Sequence, residues 1–509
     1  MKNRLKASKD KLLRESFKWI LQDPVYLNWR DGHDVGLLWI RGGAGKGKTM
    51  MSIGLIEELA QKPKAANLVT YFFCQNADQT LDTVEAIIKG LILQLVKQQR
   101  SLQICLREKW DAVNERFEKD LKSWEALWEV FLDMLDRCDC PRVYIVVDAL
   151  DECHKEDMEG LLRSLVRTGL SYPARIKWLL TSRPLDIAQQ RLLTGTDQVL
   201  VSLELNSGNV SYGVEVYITH RVDELDRLWS PDPFPRQEIE SELHRKAEGT
   251  FLWVNLVCQK LEDVSAEKAL TTIRSFQPGL DNVYCRAIDE LFVGKQSIVE
   301  GCIRLLKVMK LTFRPLNLHE VGHVAGLRDD KRYIQTLIDR CASFVQNRGP
   351  YVEFQHQTAL EFLDVGSGSS LLESRDPFDS GDIAMNCLTH LSNRLKVNIL
   401  NCPHPGATRE AMLENPQERE ENVLTSLGYA AVFWAQHLDL AKDTRIVQDA
   451  LADNGVVRRF LDTLVLEWLE YLSLLNQLPR AVDALKTLAN LSTETAKVSR
   501  TSTCAIFGF

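Results

Sequence analysis

The sequence predicts an α/β domain, a parallel sheet with helices on both faces, followed by mostly α-helical domains. Three observations predict it. Short apolar runs alternate with helical stripes through roughly the first 200 residues, the signature of strands joined by crossover helices. A glycine loop sits between the first such run and the first stripe. Beyond about residue 205 the strand-like runs nearly vanish and helical periodicity dominates.

The elements follow in order. "VGLLWIR" (35–41) is a short apolar run bounded by glycines, as a parallel strand buried on both faces requires. After the glycine loop, Met50, Met51, Ile53, Leu55, Ile56 and Leu59 form a helical stripe. "LVTYFF" (68–73) is a second strand, and Val84, Ile87, Ile88, Leu91, Leu95 and Val96 mark a long amphipathic helix. "VYIVV" (143–147) is the strongest strand; Met158, Leu161, Leu162, Leu165 and Val166 are helical; "IKWLL" (176–180) and "VLVSL" (199–203) complete the sheet. "SPDPFPRQ" (230–237) reads as a loop, "GSGSSLLESRDPFDSGD" (366–382) as a linker, and "NCPHPGATRE" (401–410) as a second break. No internal repeat is present.

Composition bounds the function. With 45% apolar and 26% charged residues the chain can build large cores. A net charge of −8 and no long basic block argue against nucleic-acid binding by phosphate neutralisation. The 12 cysteines are scattered without a C-x-x-C pair, which suits reduced core thiols in a cytoplasmic protein. The N-terminus is charged throughout and lacks the apolar stretch of a signal peptide, and no run is long enough to span a membrane.

The chemistry concentrates in "GGAGKGKT" (42–49), which fits G-x-x-x-x-G-K-[ST] in full between a strand and a helix. Gly42, Gly43, Ala44, Gly45, Lys46 and Gly47 would turn backbone N–H groups inward around a phosphate chain. The helix opening at Lys48, Thr49 and Met50 would add its positive end. Lys48 would reach the β- and γ-phosphates and Thr49 would ligate Mg²⁺. The alternative is a plain glycine turn. In "VYIVVDALDEC" (143–153), Asp148 ends the apolar strand, where a Mg²⁺-facing carboxylate belongs. Ala149 is small enough for a nucleotide to pass, and Asp151 or Glu152 could polarise the attacking water. Read otherwise, Asp148 caps the next helix and the acidic pair lies in its first turn. Arg183 in "WLLTSRP" (178–184) would stand at the sheet's C-terminal edge, sensing the γ-phosphate or bonding a structural carboxylate. These residues make the fold an α/β P-loop NTPase fold.

The string from "DKLLRESFKWILQDPVYLNW" through "GLLWIRGGAGKGKTMM", "VYIVVDALDEC" and "WLLTSRP" resembles the NACHT class of STAND signalling NTPases. It is most similar to the fungal branch that includes vegetative-incompatibility proteins and resembles NOD-like receptors. "AEGTFLWVNLVCQKL" (247–261), "TFRPLNLHEVGHVAGL" (312–327), "VEFQHQTALEFL" (352–363), "GYAAVFWAQHL" (428–438) and "VLEWLEYLSLL" (465–475) extend the resemblance over nearly the whole chain. It implies a switch: ADP holds the closed state, ATP opens it, and the open form makes homo-oligomers in response to a sensed ligand and passes a signal to an effector protein. It also implies a winged-helix domain whose histidine, here His356, contacts the ADP β-phosphate; a core or surface histidine is the other reading. "GTFLW" lacks the proline that several relatives carry there, so ATP and GTP both stay open. No WD, ankyrin or tetratricopeptide period is present, and about 40 residues precede the loop. The chain therefore reads as a fragment, a shortened product or a module paired with another protein.

A second motif competes. "HEVGHVAGLRD" (319–329) fits the zinc-protease pattern through His319, Glu320, His323 and Gly326, with Asp329 at the third-ligand position. Pro315, however, stops a helix from running in, Asn317 and Glu320 form a capping-box pair, and Leu316 and Val321 supply its hydrophobic staple. Gly326 then ends the helix. The expected division is a helical segment over 1–34, a nucleotide domain over 35–205, a helical domain over 206–295, a winged helix over 296–365 and a helical domain over 366–509. The expected work is nucleotide-gated signalling with slow hydrolysis of ATP or GTP, with a non-hydrolysing nucleotide scaffold and a zinc metalloprotease as alternatives.

Overall fold

The computed structural model describes residues 16–61, 67–78, 80–113, 123–154, 157–184, 198–203, 206–230, 234–399, 426–441 and 444–506. The chain divides into two compact units, Met1–Val283 and Tyr284–Phe509.

In the first unit, α1 (Pro24–Asp31) starts where Asp23 accepts the N–H groups of Val25 and Tyr26 and a proline opens the first turn. Then come β1 (Leu37–Arg41), α2 (Lys48–Leu59), β2 (Asn67–Phe73), α3 (Val84–Gln98), α4 (Gln103–Val113) and α5 (Trp124–Arg137). β3 (Arg142–Asp148), α6 (Met158–Ser171), β4 (Ile176–Ser182) and β5 (Gln198–Ser202) complete the sheet domain. The strands are all parallel, in the order β2-β3-β4-β1-β5. β4 thus lies between the strand that leads into the glycine loop and the strand that ends at Asp148.

Both faces of the sheet are covered, which is why its strands read as continuous apolar runs rather than alternating ones. On one face Trp178 of β4 stacks on Trp128 of α5, with ring centroids 6.0 Å apart. On the other, Tyr144 of β3 meets Trp29 of α1 edge-on at 5.7 Å, and its hydroxyl donates to the Arg30 carbonyl at 2.9 Å. Tyr26 and Trp29 are both fully buried.

Four helices follow in the first unit: α7 (Ser207–Trp229), α8 (Arg236–Ala247), α9 (Phe251–Glu262) and α10 (Ala266–Ser275). Lys246 of α8 is buried, and its ammonium donates to the carbonyls of Ile273, Arg274 and Phe276 at 2.9, 2.8 and 2.7 Å. These are acceptors at the C-terminal end of α10, where a cation is favoured. α11 (Leu280–Leu291) carries the chain across the boundary between the units.

The second unit opens with α12 (Gln296–Leu311), β6 (Leu316–Asn317), α13 (Leu318–Val324), α14 (Lys331–Arg340), β7 (Val345–Arg348) and β8 (Tyr351–Phe354). The three strands pair antiparallel in the order β6-β8-β7. Then come α15 (Gln357–Asp364), α16 (Ser367–Glu373), α17 (Ser380–Arg394), α18 (Gly428–Asp439), α19 (Thr444–Leu451), α20 (Val456–Leu474) and α21 (Pro479–Ile506). The stretch 366–382, expected as a linker, is mostly helix: α16 occupies its first half and α17 starts in its second. Asp379 and Asp382 form a capping box on α17, so the polar composition there is cap chemistry. The expected break at 401–410 lies outside the described residues. Trp434, His437, Trp468 and Tyr471 are fully buried, as a core stripe requires. Among the described residues no helix is long and apolar enough to cross a membrane.

Candidate functional site

The glycine loop runs from the end of β1 to the start of α2. Gly42 N–H donates to the Ser182 carbonyl at 3.1 Å, which seats the loop's first residue on the end of β4. Gly45 and Gly47 adopt φ of 69° and 82°, a conformation that costs residues with a Cβ. Neighbours also press on them: a Cβ on Gly45 would lie 2.8 Å from Thr250 Cγ2 and 3.0 Å from Leu252 Cβ. One on Gly47 would lie 2.7 Å from Phe17 Cζ and 3.2 Å from Phe251 Cδ2.

Lys48 opens α2, and its ammonium folds back into the loop, donating to the carbonyls of Gly42 at 2.6 Å and Gly43 at 2.9 Å. Burial lowers its pKa, while Asp151 pulls it the other way and Arg183 reinforces the lowering. Thr49 follows, and its hydroxyl is near enough to the Asp148 carboxylate to lower that group's pKa. Met50 continues the first turn of α2.

Asp148, 1% exposed, ends β3. One carboxylate oxygen accepts from Ser52 Oγ and Thr181 Oγ1, each at 2.6 Å. Burial pushes the Asp148 carboxyl up, and the hydroxyls of Ser52, Thr181 and Thr49 oppose that rise. Ala149 then takes φ 55°, a left-handed position for a residue with a Cβ, and leads into the 3-10 turn Leu150–Glu152. The alternative holds in part: Asp151 and Glu152 lie in the first turn of that 3-10 helix, but its N-cap is Ala149 rather than Asp148.

Asp151 accepts from the Arg183 backbone N–H at 3.0 Å, and its other oxygen lies 3.3 Å from Arg183 Nε. Arg183 therefore stands at the C-terminal edge of the sheet, paired with Asp151. Glu152 is pushed up to about 8, first by burial and then by the charges of Asp151 and Asp148; the Asn76 backbone N–H lowers it in part. Lys48, Thr49, Asp148, Asp151, Glu152 and Arg183 thus lie together at one sheet edge. Lys46 points away from the loop interior, and its ammonium donates to the Glu248 carbonyl at 2.7 Å.

Several residues here escaped the sequence reading. Thr181 and Ser52 hold Asp148, and their signal was a hydroxyl inside an otherwise apolar strand and helix stripe. Thr250 and Leu252, which back the loop, gave no local signal.

The donors present fit a magnesium-bound phosphate chain. A helix N-terminus, a left-handed glycine cradle, a half-buried ammonium and a hydroxyl–carboxylate pair are the groups such a ligand requires.

His356 belongs to the second unit. There its Nδ1 accepts the Thr358 N–H at 3.1 Å and caps α15. Glu320 is 1% exposed and saturated with donors. Arg314 Nη2 lies 2.7 Å from one oxygen and Nη1 2.9 Å from the other, with the Tyr429 N–H at 2.8 Å and the Asn317 N–H at 3.1 Å. The Asn317 side chain caps His319 and Glu320 N–H in return, and the staple residues Leu316 and Val321 are fully buried. His323 stacks on His390 at 3.5 Å, and Asp329 Oδ2 lies 3.4 Å from His323 Nε2. Glu320 is therefore a structural anion. Among the described residues no group of three or more His, Cys, Asp or Glu is placed to hold a metal ion.

Comparison with known proteins adds to this geometry. Residues 15–183 match the family described as Nephrocystin 3, N-terminal. The chain is 34% identical over 511 residues to the vegetative incompatibility protein HET-E-1 of Podospora anserina, across 96% of this chain and 37% of that protein. It thus spans little more than a third of that relative's length. Solved structures with some likeness include a Walker-type ATPase of Pyrococcus abyssi, with TM-score 0.32 and 12% identity over 70% of this chain and 95% of that one. Cdc6p from Pyrobaculum aerophilum gives TM-score 0.32 and 13% identity over 74% and 98%.

Proposed function

We propose that the chain is a NACHT-type protein of the fungal incompatibility kind, similar over most of its length to such a protein, and that it is a nucleotide-gated signalling switch. It binds ATP or GTP with Mg²⁺ at residues 42–50 and hydrolyses it slowly. Exchange and hydrolysis gate homo-oligomer formation in fungal-type immunity or heterokaryon incompatibility, in the cytoplasm. The single observation that carries this reading is the convergence of Lys48, Thr49, Asp148 and the Arg183–Asp151 pair at one sheet edge.

The roles follow from the chemistry. The loop N–H groups from Gly43 to Thr49 cradle the phosphates. Lys48 exchanges its bonds to Gly42 and Gly43 for β- and γ-phosphate oxygens. Thr49 and Asp148 would hold the metal, which would screen phosphate charge and polarise the terminal phosphoryl group. Glu152 is the better base of the acidic pair, because a raised pKa makes its ionised form more basic, whereas Asp151 orients Arg183 towards the γ-phosphate.

His356 is the proposed β-phosphate donor of the ADP state. Within its own unit, acceptance at Nδ1 leaves the proton of the neutral ring on Nε2, the form that donates to phosphate. The helix, short strand, two helices and hairpin over 296–354 support the winged-helix reading, and the strand-to-helix change after Ser202 supports a domain boundary near 205.

Binding without turnover remains the second reading, favoured by the engagement of Asp151 with Arg183. Phosphate release by the wild type and by Glu152→Gln separates the two. Wild-type release that falls in the variant, with nucleotide binding kept, supports the switch. Equal silence with binding retained leaves the scaffold. Loss of all binding in Lys48→Ala is expected on both.

A further inference from the structure

The back of the phosphate loop rests on a turn that begins the second helical layer. At the C-terminal end of α8, Glu248 and Gly249 both pass through the left-handed region, with φ 49° and 67°. A non-glycine residue holds that conformation only where its surroundings enforce it. The double turn leaves the Glu248 carbonyl facing the loop, where Lys46 Nζ donates to it at 2.7 Å. Carbonyls at a helix C-terminus carry partial negative charge and attract an ammonium. The following residues continue the contact: Leu252 N–H approaches the Gly45 carbonyl at 3.5 Å, Thr250 and Leu252 close over Gly45, and Phe251 closes over Gly47.

The two lysines of "GKGK" therefore face opposite ways. Lys48 turns into the loop and bonds its carbonyls. Lys46 turns out and bonds the helical layer. Between them lie Gly45 and Gly47, whose left-handed torsions set the direction of the loop N–H groups.

We propose that Lys46 is a positioning residue: it ties the phosphate loop to the turn 248–250, so that a filled loop stiffens α8 and α9 and a loosened turn weakens nucleotide binding. This rests on the reading of residues 42–49 as a nucleotide site. Lys46 acts through the backbone of Gly45 and Gly47 rather than by touching phosphate. Coupling of this kind is reciprocal, so one substitution shifts both quantities.

The experiment uses the full chain and Mg²⁺-ADP, with calorimetric titration for affinity and hydrogen exchange for local protection. Lys46→Met keeps the aliphatic stem and loses the charge, Lys46→Gln gives a second neutral variant should the first fold poorly, and Lys46→Arg restores the cation. In the wild type, ADP slows exchange both at 42–50 and at 247–262. In the neutral variants affinity falls about two- to fivefold, the range for one cation at a helix end. Protection at 247–262 is lost while that at 42–50 persists, and Lys46→Arg recovers both. Wild-type affinity and wild-type protection at 247–262 in the neutral variants would overturn the coupling and leave the nucleotide site intact. A wild type that binds neither Mg²⁺-ADP nor Mg²⁺-ATP would overturn both readings at once.

Discussion

Thr181 donates its hydroxyl to Asp148 at 2.6 Å and, through the same oxygen, accepts the Ala149 N–H at 3.0 Å. One side chain on β4 thereby orients the carboxylate that ends β3 and pins the left-handed residue that follows it. The acidic turn follows directly, with the Glu152 N–H donating to the Ala149 carbonyl at 2.9 Å.

Thr181→Val is therefore expected to act twice. It keeps the volume but leaves a buried N–H and a buried carboxylate short of a partner, a loss of about 1–3 kcal/mol. The urea midpoint measures that loss. Magnesium-dependent nucleotide affinity should fall with it, while binding measured in EDTA should move much less.

Glu152 gives a pH signature. Its folded-state pKa is about 8, above the ordinary carboxylate value of 4.5. The folded chain therefore holds a proton that the unfolded chain has released, and stability falls as pH rises from 4.5 to 8. The slope is at most about 1.4 kcal/mol per pH unit. Glu152→Gln removes this term. The variant should match the wild type near pH 4.5, gain on it steadily towards pH 8 and hold a constant lead above. Denaturant titrations across that range would show it, and parallel curves would rule it out.

Glu320→Ala should cost about 3 kcal/mol or more, because it leaves the Arg314 guanidinium without its carboxylate. The Tyr429 and Asn317 N–H groups lose their acceptor as well. Thermal unfolding of the variant tests the cost. Metal analysis of the wild-type chain should find no equivalent of zinc; a stoichiometric reading would return Glu320 to a catalytic role.

His390 predicts an acid limb. Burial holds it down to about 4, helped by His323 stacked upon it and by Arg394, while Asp329 and the Ser426 backbone pull it up. A histidine kept neutral in the fold and charged when unfolded lends stability that is present above pH 6.5 and is lost as pH falls towards 4. His390→Phe keeps a ring against His323 without the proton. Its stability curve should be flatter between pH 6.5 and 4, by up to about 1.4 kcal/mol per unit. His437, held near 3 by burial, should leave a residual slope at the lowest pH.

The site was legible in the sequence wherever it was local. Lys48 and Thr49 sit where a strand, a glycine loop and a helix meet, and Asp148 and Arg183 end apolar runs, so position within one element located them. The insertion of β4 between β1 and β3 was not legible, because strand order is a long-range pairing that leaves no mark in either strand. For the same reason Thr181 could not be joined to Asp148, nor Thr250 to Gly45. The run at 366–382 misled for a different reason: Ser, Gly and Asp serve helix caps as well as linkers, and only the bonds between Asp379 and Asp382 tell the two apart.

The Lys246 ammonium, crowned by the carbonyls of Ile273, Arg274 and Phe276, makes α8 and α10 hard to part. Separating them would leave a cation in an apolar interior with three acceptors removed in a single stroke, a step that resists gradual opening. The two helices consequently travel as one lever. The short bend from Glu248 to Thr250 follows directly on the end of α8.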